Sequence, residues 1–209
     1  MEKLLYLEAS PRKTRSASIA VAKAFLETYA AAHPEDQIDA LDLWTLPLPE
    51  FDGETIDAKY AVLHGQSQTP DQVKAWDAVK AIISRFTAAD KYLFSLPMWN
   101  FGIPYKLKHF IDVITQPDLT FSYSPSAGYK GLVTKRPAAV VYARGGAYPV
   151  GTPGEAYDLQ KVYVQLWLGF IGFTDIRPIL VEPTLGTPET IAEANAAAAD
   201  LARQIAQEM

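Results

Sequence analysis

Residues 92 to 104 read YLFSLPMWNFGIP, and the reading of this stretch decides how the rest of the chain is organised. Tyr92 to Leu96 is a short apolar run of the kind that forms a buried strand. Beyond it come Met98, Trp99, Asn100, Phe101 and Gly102, bracketed by Pro97 and Pro104, where a polar connection would be ordinary. A loop this stiff and apolar suits a flat aromatic ligand, with the N–H groups of Trp99, Asn100 and Phe101 and the Asn100 amide turned to its heteroatom edge. The alternative reading makes Trp99 and Phe101 rim residues that pack on a neighbouring helix or a partner subunit.

On either side of this stretch, short apolar runs alternate with helical patterns. Strands are predicted at Leu4 to Leu7, Ile38 to Leu43, Ala138 to Tyr142 and Ile176 to Val181. Helices are predicted at Ser18 to Ala31, Pro70 to Ala88, Ile103 to Ile114, Gly154 to Gly169 and Pro188 to Glu208. Thr69-Pro70, Thr152-Pro153 and Thr187-Pro188 each place threonine at an N-cap and proline at the first helical position. Gln72 and Glu155 complete capping boxes at the first two. Phe51 to Thr69 is the longest irregular piece, with a short helix expected around Asp57 to Leu63. Nearly continuous apolar strands joined by helices imply an α/β class, a doubly wound five-stranded parallel sheet with helices on both faces. Such sheets bind ligands outside the carboxyl ends of their strands, here just after Leu7, Leu96 and Tyr142.

The loop after the first strand, Ala9 to Ser18, opens a helix whose neighbourhood carries no acidic residue from Pro11 to Leu26. Helix N-termini favour carboxylates, so the omission suggests an external anion held by first-turn N–H groups and the hydroxyls of Ser10, Ser16 and Ser18. The alternative is that Ser16 simply caps the helix while Arg12, Lys13 and Arg15 are solvated. Neither Gly-x-Gly-x-x-Gly nor Gly-Lys-Ser/Thr occurs in this loop, so a monophosphate fits better than a pyrophosphate. The loop after Tyr142 brings Gly145-Gly146, either a plain turn or a place where backbone approaches a ligand closely.

With 209 residues, 49% of them hydrophobic, the chain supports one sizeable core and is expected to be a single domain over 1–209. A net charge of −5 gives no basic excess for nucleic acid or an anionic membrane. The absence of cysteine removes disulfides, thiolate metal sites and thiol nucleophiles. His33, His64 and His109 share no ligand spacing, so no metal is expected, and His109 with Asp112 reads as helix-face structure. No run reaches the ~20 apolar residues of a membrane span, so a cytoplasmic location is the default.

At this point the residues resemble the FMN-dependent NADH azoreductases, a branch of the flavodoxin-like quinone reductases. The resemblance rests on Ser10 with Ser16-Ala17-Ser18, on Pro97-Met98-Trp99-Asn100-Phe101, on Arg144-Gly145-Gly146, and on Leu168 to Gly172 leading to Asp175. Gly131-Leu132-Val133 and Leu107-Lys108, followed by Asp112, extend it over essentially the whole chain. It implies that Ser10, Ser16, Ala17 and Ser18 hold the FMN phosphate, that Pro97 to Phe101 line the ring, and that Ala143, Arg144, Gly145 and Gly146 close over its other edge. It further implies a homodimer whose interface carries the active sites, with Phe101, Tyr123 and Trp167 on the substrate face. Ala143 stands where many relatives carry a hydroxyl, Trp99 where tyrosine is common, and Trp167 where a smaller aromatic often occurs.

The implied activity is two-electron ping-pong transfer of a hydride from NADH or NADPH through FMN to quinones, with azo compounds as slower acceptors. The chemistry then resides in the cofactor, and no side chain is expected as a catalytic nucleophile. A flavodoxin-like electron carrier or a non-catalytic FMN-binding module is the rival. A carrier would shield its flavin and present a strongly acidic docking face, which the mild charge does not favour.

Overall fold

The computed structural model describes residues 1–209. Alternation along its strands decides how the central sheet is covered. In β1 (Lys3–Glu8), Leu5 and Leu7 point to one face while Leu4 and Tyr6 point to the other. The same division runs through β3 (Lys91–Pro97), where Tyr92, Phe94 and Leu96 oppose Leu93. Because side chains on both faces are apolar, both need covering. The face of Leu5 is packed by Trp76 and Phe86 of α3 (Pro70–Thr87), Phe110 of α4 (Tyr105–Ile114) and Trp167 of α5 (Leu159–Ile171). The face of Leu4 is packed by Phe25 and Tyr29 of α1 (Ala17–Ala32) and by Ala198, Ala202 and Ile205 of α6 (Pro188–Glu208).

With β2 (Gln37–Asp42), β6 (Pro137–Ala143) and β7 (Asp175–Val181), the strands form a five-stranded sheet in the order β2-β1-β3-β6-β7, every pair parallel. The order reverses between β1 and β3, which opens a crevice at their carboxyl ends. The expected flavodoxin-like doubly wound sheet is therefore the observed one.

Several local expectations need correction. Thr152 opens only a 3-10 turn (Pro153–Tyr157), and the Glu155 carboxylate accepts from the Gly151 N–H at 2.7 Å instead of completing a capping box. The true helix α5 starts after Asp158, whose carboxylate accepts from the Lys161 N–H at 3.1 Å. Helix α2 spans Gly53–Leu63, longer than the expected Asp57 to Leu63, because Asp52 caps it through the Thr55 N–H at 3.0 Å. Helix α4 begins at Tyr105, since Pro104 occupies the N-cap. The antiparallel hairpin β4 (Phe121–Ser124) and β5 (Gly128–Gly131) had no strong signal, being two four-residue strands that pair Tyr123 with Tyr129. By contrast the Thr69 capping box is complete, with reciprocal bonds of 3.2 and 3.0 Å to Gln72.

Charge guards the edge strand β2. Asp39 accepts from Arg85 at 2.7 Å and pairs with Lys3 at 2.9 Å, and Arg85 first of all holds its carboxyl down at about 2. A carboxylate depressed in the fold contributes stability that is fully present above its unfolded value and is lost as pH falls through the folded one. Between about pH 4 and pH 2 the urea midpoint should therefore fall less steeply in Asp39→Asn than in the parent. Parallel acid profiles for the two proteins would remove Asp39 from the acid response.

Candidate functional site

Three loops leave the sheet at the crevice, and each is shaped by a local device. After β1, Ser10 is fully buried and its Oγ accepts from the Arg12 N–H at 3.4 Å. A 3-10 turn (Lys13–Arg15) then leads to Ser16, the N-cap of α1. The Ser16 side chain caps nothing. Its Oγ instead lies 3.1 Å from the Ser18 Oγ, and the first turn of the helix contains no acidic residue. The N–H groups at the positive end of a sixteen-residue helix are thus left without a side-chain partner.

After β3 the chain makes a tight turn. The Trp99 N–H donates to the Gly102 carbonyl at 3.1 Å and the Gly102 N–H donates back at 2.9 Å. Both corner residues are left-handed, Asn100 at φ 46° and Phe101 at φ 69°, as a type I′ turn requires. Asparagine tolerates this region, whereas a bulky side chain is strained there by about 1–3 kcal/mol. Phe101 is held by its ring against Tyr157, with centroids 5.0 Å apart. Trp99 leans on Trp44 and Tyr105 at 5.9 and 6.2 Å, and Trp44 Nε1 donates to the Ala9 carbonyl at 3.0 Å. One aromatic brace therefore ties the third loop to the first.

After β6, the Met98 N–H donates to the Ala143 carbonyl at 2.8 Å and links this loop to the turn. The Arg144 guanidinium lies wholly inside the protein, 2.6 Å from Asp158 and 2.8 Å from Glu182. These are charge contacts, since none of its nitrogens has an acceptor in hydrogen-bonding geometry. Burial pushes the Asp158 pKa up, but Arg144 and the Lys161 N–H outweigh it and hold the carboxyl below its ordinary range. Main-chain bonds from Thr184 to the Arg144 carbonyl and from Leu185 to the Gly145 carbonyl lay the segment after β7 alongside. A Cβ at Gly145 would stand 3.0 Å from Leu185 Cδ1, so the approach is close.

These loops border one open cavity of about 770 Å³, within the range of small-molecule and cofactor sites. Ser10, Ser16 and Ala17 line one end, with Arg12, Thr14 and Arg15. Pro97, Met98, Trp99, Ala143 and Gly145 supply an apolar wall. Hydroxyls, guanidinium groups and helix N–H groups gather where an anion would sit, and flat apolar surface lies beside them.

Not every residue singled out in the sequence reaches this cavity. Ser18 is buried behind Ser16. Asn100 and Phe101 form the corners of the turn and do not line the wall. Arg144 is a buried strut, and Gly146 lies next to Tyr148. Trp167 does not reach this cavity: it is 5% exposed, its ring packs on Phe94 at 6.1 Å and its Nε1 donates to Thr115 at 3.0 Å. Tyr123 stands exposed on the hairpin, its ring tilted against Tyr129 with centroids 5.0 Å apart. His109 bonds to the Pro49 carbonyl at 2.8 Å, and Asp112 pairs with Lys108. Arg12 and Arg15, weighed in the sequence only as solvated residues, line the cavity, and so does Thr14, which the sequence did not single out. Nor did it single out Thr184, Leu185 and Asn195, which carry no local signal because β7 and α6 are brought in only by the fold.

Comparison with known proteins agrees with this fold. A family model described as flavodoxin-like fold matches residues 2–205. The chain is 56% identical, over 88% of its own length and 87% of the relative's, to an FMN-dependent NADH:quinone oxidoreductase of Desulfotalea psychrophila. It is 51% identical, over the whole of both chains, to one from Nitratidesulfovibrio vulgaris strain DP4. Among solved structures, an FMN-dependent NADH-azoreductase of Bacillus anthracis in complex with FMN superposes with a TM-score of 0.88 at 29% identity, covering 99% of this chain and all of that one.

Proposed function

Since the chain belongs to the FMN-dependent NADH:quinone oxidoreductases of the flavodoxin-like fold, we propose that it binds FMN in the cavity at the strand ends and reduces quinones and azo compounds with NADH or NADPH. The observation that carries this reading is the division of one cavity into an anion-binding end and a flat apolar wall. That donor set fits the cofactor, because a phosphomonoester and a planar ring make those two demands side by side. Bound there, FMN supplies a ring that takes two electrons from a nicotinamide and passes them to the acceptor.

The chain's own residues bind and orient. Ser10, Ser16 and the N–H groups from Ala17 onward hold the phosphate, with Arg12 and Arg15 balancing its charge. Ser18 keeps the Ser16 hydroxyl turned away from capping. Pro97, Met98 and Trp99 orient the ring by apolar contact, Asn100 and Phe101 fix the turn that carries them, and Ala143 and Gly145 approach its edge with backbone. Arg144 and Gly146 shape that backbone from behind. The brace of Trp44, Trp99 and Tyr105 holds the Trp99 ring in place at the wall.

The test is direct. Purified protein is mixed with FMN, freed of excess, and its visible spectrum followed through anaerobic NADH and then a benzoquinone. Retained colour that bleaches and returns is expected; a folded protein that keeps no flavin overturns the reading. Replacing Ser16 by aspartate adds a second check. Aspartate caps about as well as serine, and its charge at the positive end of α1 should add about 0.3–1 kcal/mol of helix stability. Its carboxylate also occupies the phosphate's place, so FMN should bind about 10–100-fold more weakly. A raised melting temperature with undiminished FMN affinity would put the phosphate elsewhere.

The proposal includes a homodimer acting through a single domain per chain. Phe101, Tyr123, Tyr129 and Tyr157 are each about half exposed or more, and a second copy would cover such aromatics and place Phe101 and Tyr123 on the substrate face. Sedimentation at micromolar concentration would separate dimer from monomer. A cytoplasmic location is supported by the need for a reduced nicotinamide and by the observation that no helix is long and apolar enough to cross a membrane.

A further inference from the structure

Of the three basic residues in the first loop, Arg12 and Arg15 line the cavity and Lys13 does not. Lys13 sits at φ 49°, in the left-handed region that residues bearing a Cβ disfavour. Its Nζ lies 2.6 Å from Glu8 and 2.6 Å from Asp42, the residues that end β1 and β2. Both carboxylates are anchored in turn, Glu8 by the Tyr6 hydroxyl at 3.3 Å and Asp42 by the Trp44 N–H at 3.0 Å. The Lys13 carbonyl accepts from the Ser16 N–H at 3.0 Å, so this corner is joined directly to the start of α1.

We propose that Lys13 is a positioning residue for phosphate binding, its two ion pairs holding the left-handed corner that turns Arg12, Thr14 and Arg15 toward the cavity. The proposal rests on the FMN reading above. A purely through-space effect makes the opposite prediction at one position. Lys13 with Glu8 and Asp42 carries a net negative charge beside an anion site, so neutralising Asp42 would by charge alone tighten binding. If Lys13 works by holding the corner, neutralising Asp42 loosens it.

FMN and riboflavin, which lacks the phosphate, are each titrated by flavin fluorescence into the parent, Lys13→Ala, Lys13→Arg and Asp42→Asn. Loss of a charge-assisted contact should weaken FMN binding about tenfold in Lys13→Ala, while riboflavin affinity stays level. Lys13→Arg should restore FMN binding, and Asp42→Asn should weaken it. Unchanged FMN affinity in Lys13→Ala, equal losses for FMN and riboflavin, or tighter FMN binding in Asp42→Asn would each overturn the proposal. If Lys13→Ala does not fold, the direction of the Asp42→Asn change decides. A folded parent that binds no FMN removes the functional reading and this proposal together; a parent that binds FMN with a level variant series removes this proposal alone.

Discussion

Arg144→Met is expected to lower stability by about 3–5 kcal/mol, because it strands two carboxylates that the protein has taken out of water. Asp158 is 4% and Glu182 17% exposed at the side chain, and Arg144 is the cation placed between them. Asp158 keeps a contact to Lys161 at 3.2 Å, which softens the loss without cancelling it. For a chain of this length the change amounts to a drop of roughly 10 °C in the melting midpoint. Lys108→Met removes an ion pair of the same 2.6 Å length whose partners are 49% and 42% exposed. There the expected change is about 0–1 kcal/mol, since water screens both partners. Equal shifts in the two variants would refute the view that burial sets the value of the Arg144 pairs. FMN affinity, measured where Arg144→Met is still folded, should fall modestly, because the arginine shapes the Ala143 to Gly145 backbone and does not line the cavity.

Gly131→Ala is the second large effect. A Cβ at that position would stand 2.3 Å from the Gly172 nitrogen and 2.4 Å from the Ile171 carbonyl carbon. Those atoms are backbone at the end of α5, so no rotamer change relieves the overlap. The strand must separate from the helix end, breaking the bond from the Val133 N–H to the Ile171 carbonyl at 2.8 Å. A loss of about 3 kcal/mol is expected, at the upper end of ordinary overpacking. Gly102→Ala is the comparison: its Cβ meets nothing closer than 3.8 Å and its backbone is not left-handed, so stability should change by less than about 0.5 kcal/mol. Thermal unfolding of the two variants side by side settles the matter, and a Gly131→Ala protein as stable as Gly102→Ala would show that the hairpin does not seat against α5.

Much of the architecture was legible because its signals are local. Tyr92 to Leu96 reads as a buried strand from its own composition, and Thr69 with Gln72 announces a helix start that the structure completes. Where two local signals competed, reading by pattern failed. Thr152-Pro153 matched a capping box, yet Asp158 makes the working cap because the Arg144 ion pair fixes its carboxylate. The hairpin escaped notice since Phe121-Ser122-Tyr123-Ser124 is too short to carry a period of its own.

The candidate site divides the same way. That three strands end in loops carrying hydroxyls, a stiff aromatic turn and a glycine pair was written in the chain, because the position of a strand along the sequence and the chemistry of its loop follow from neighbouring residues. Which of those side chains meet was settled by the fold. It sent the Arg144 guanidinium inward between Asp158 and Glu182, sealed Trp167 in the core, and brought Asn195 of α6 to a cavity that begins at Ser10. The physical reason is that a loop's direction is set by long-range partners, here the buried ion pairs and the left-handed corners at Lys13, Asn100 and Phe101, and no window of local sequence contains those partners.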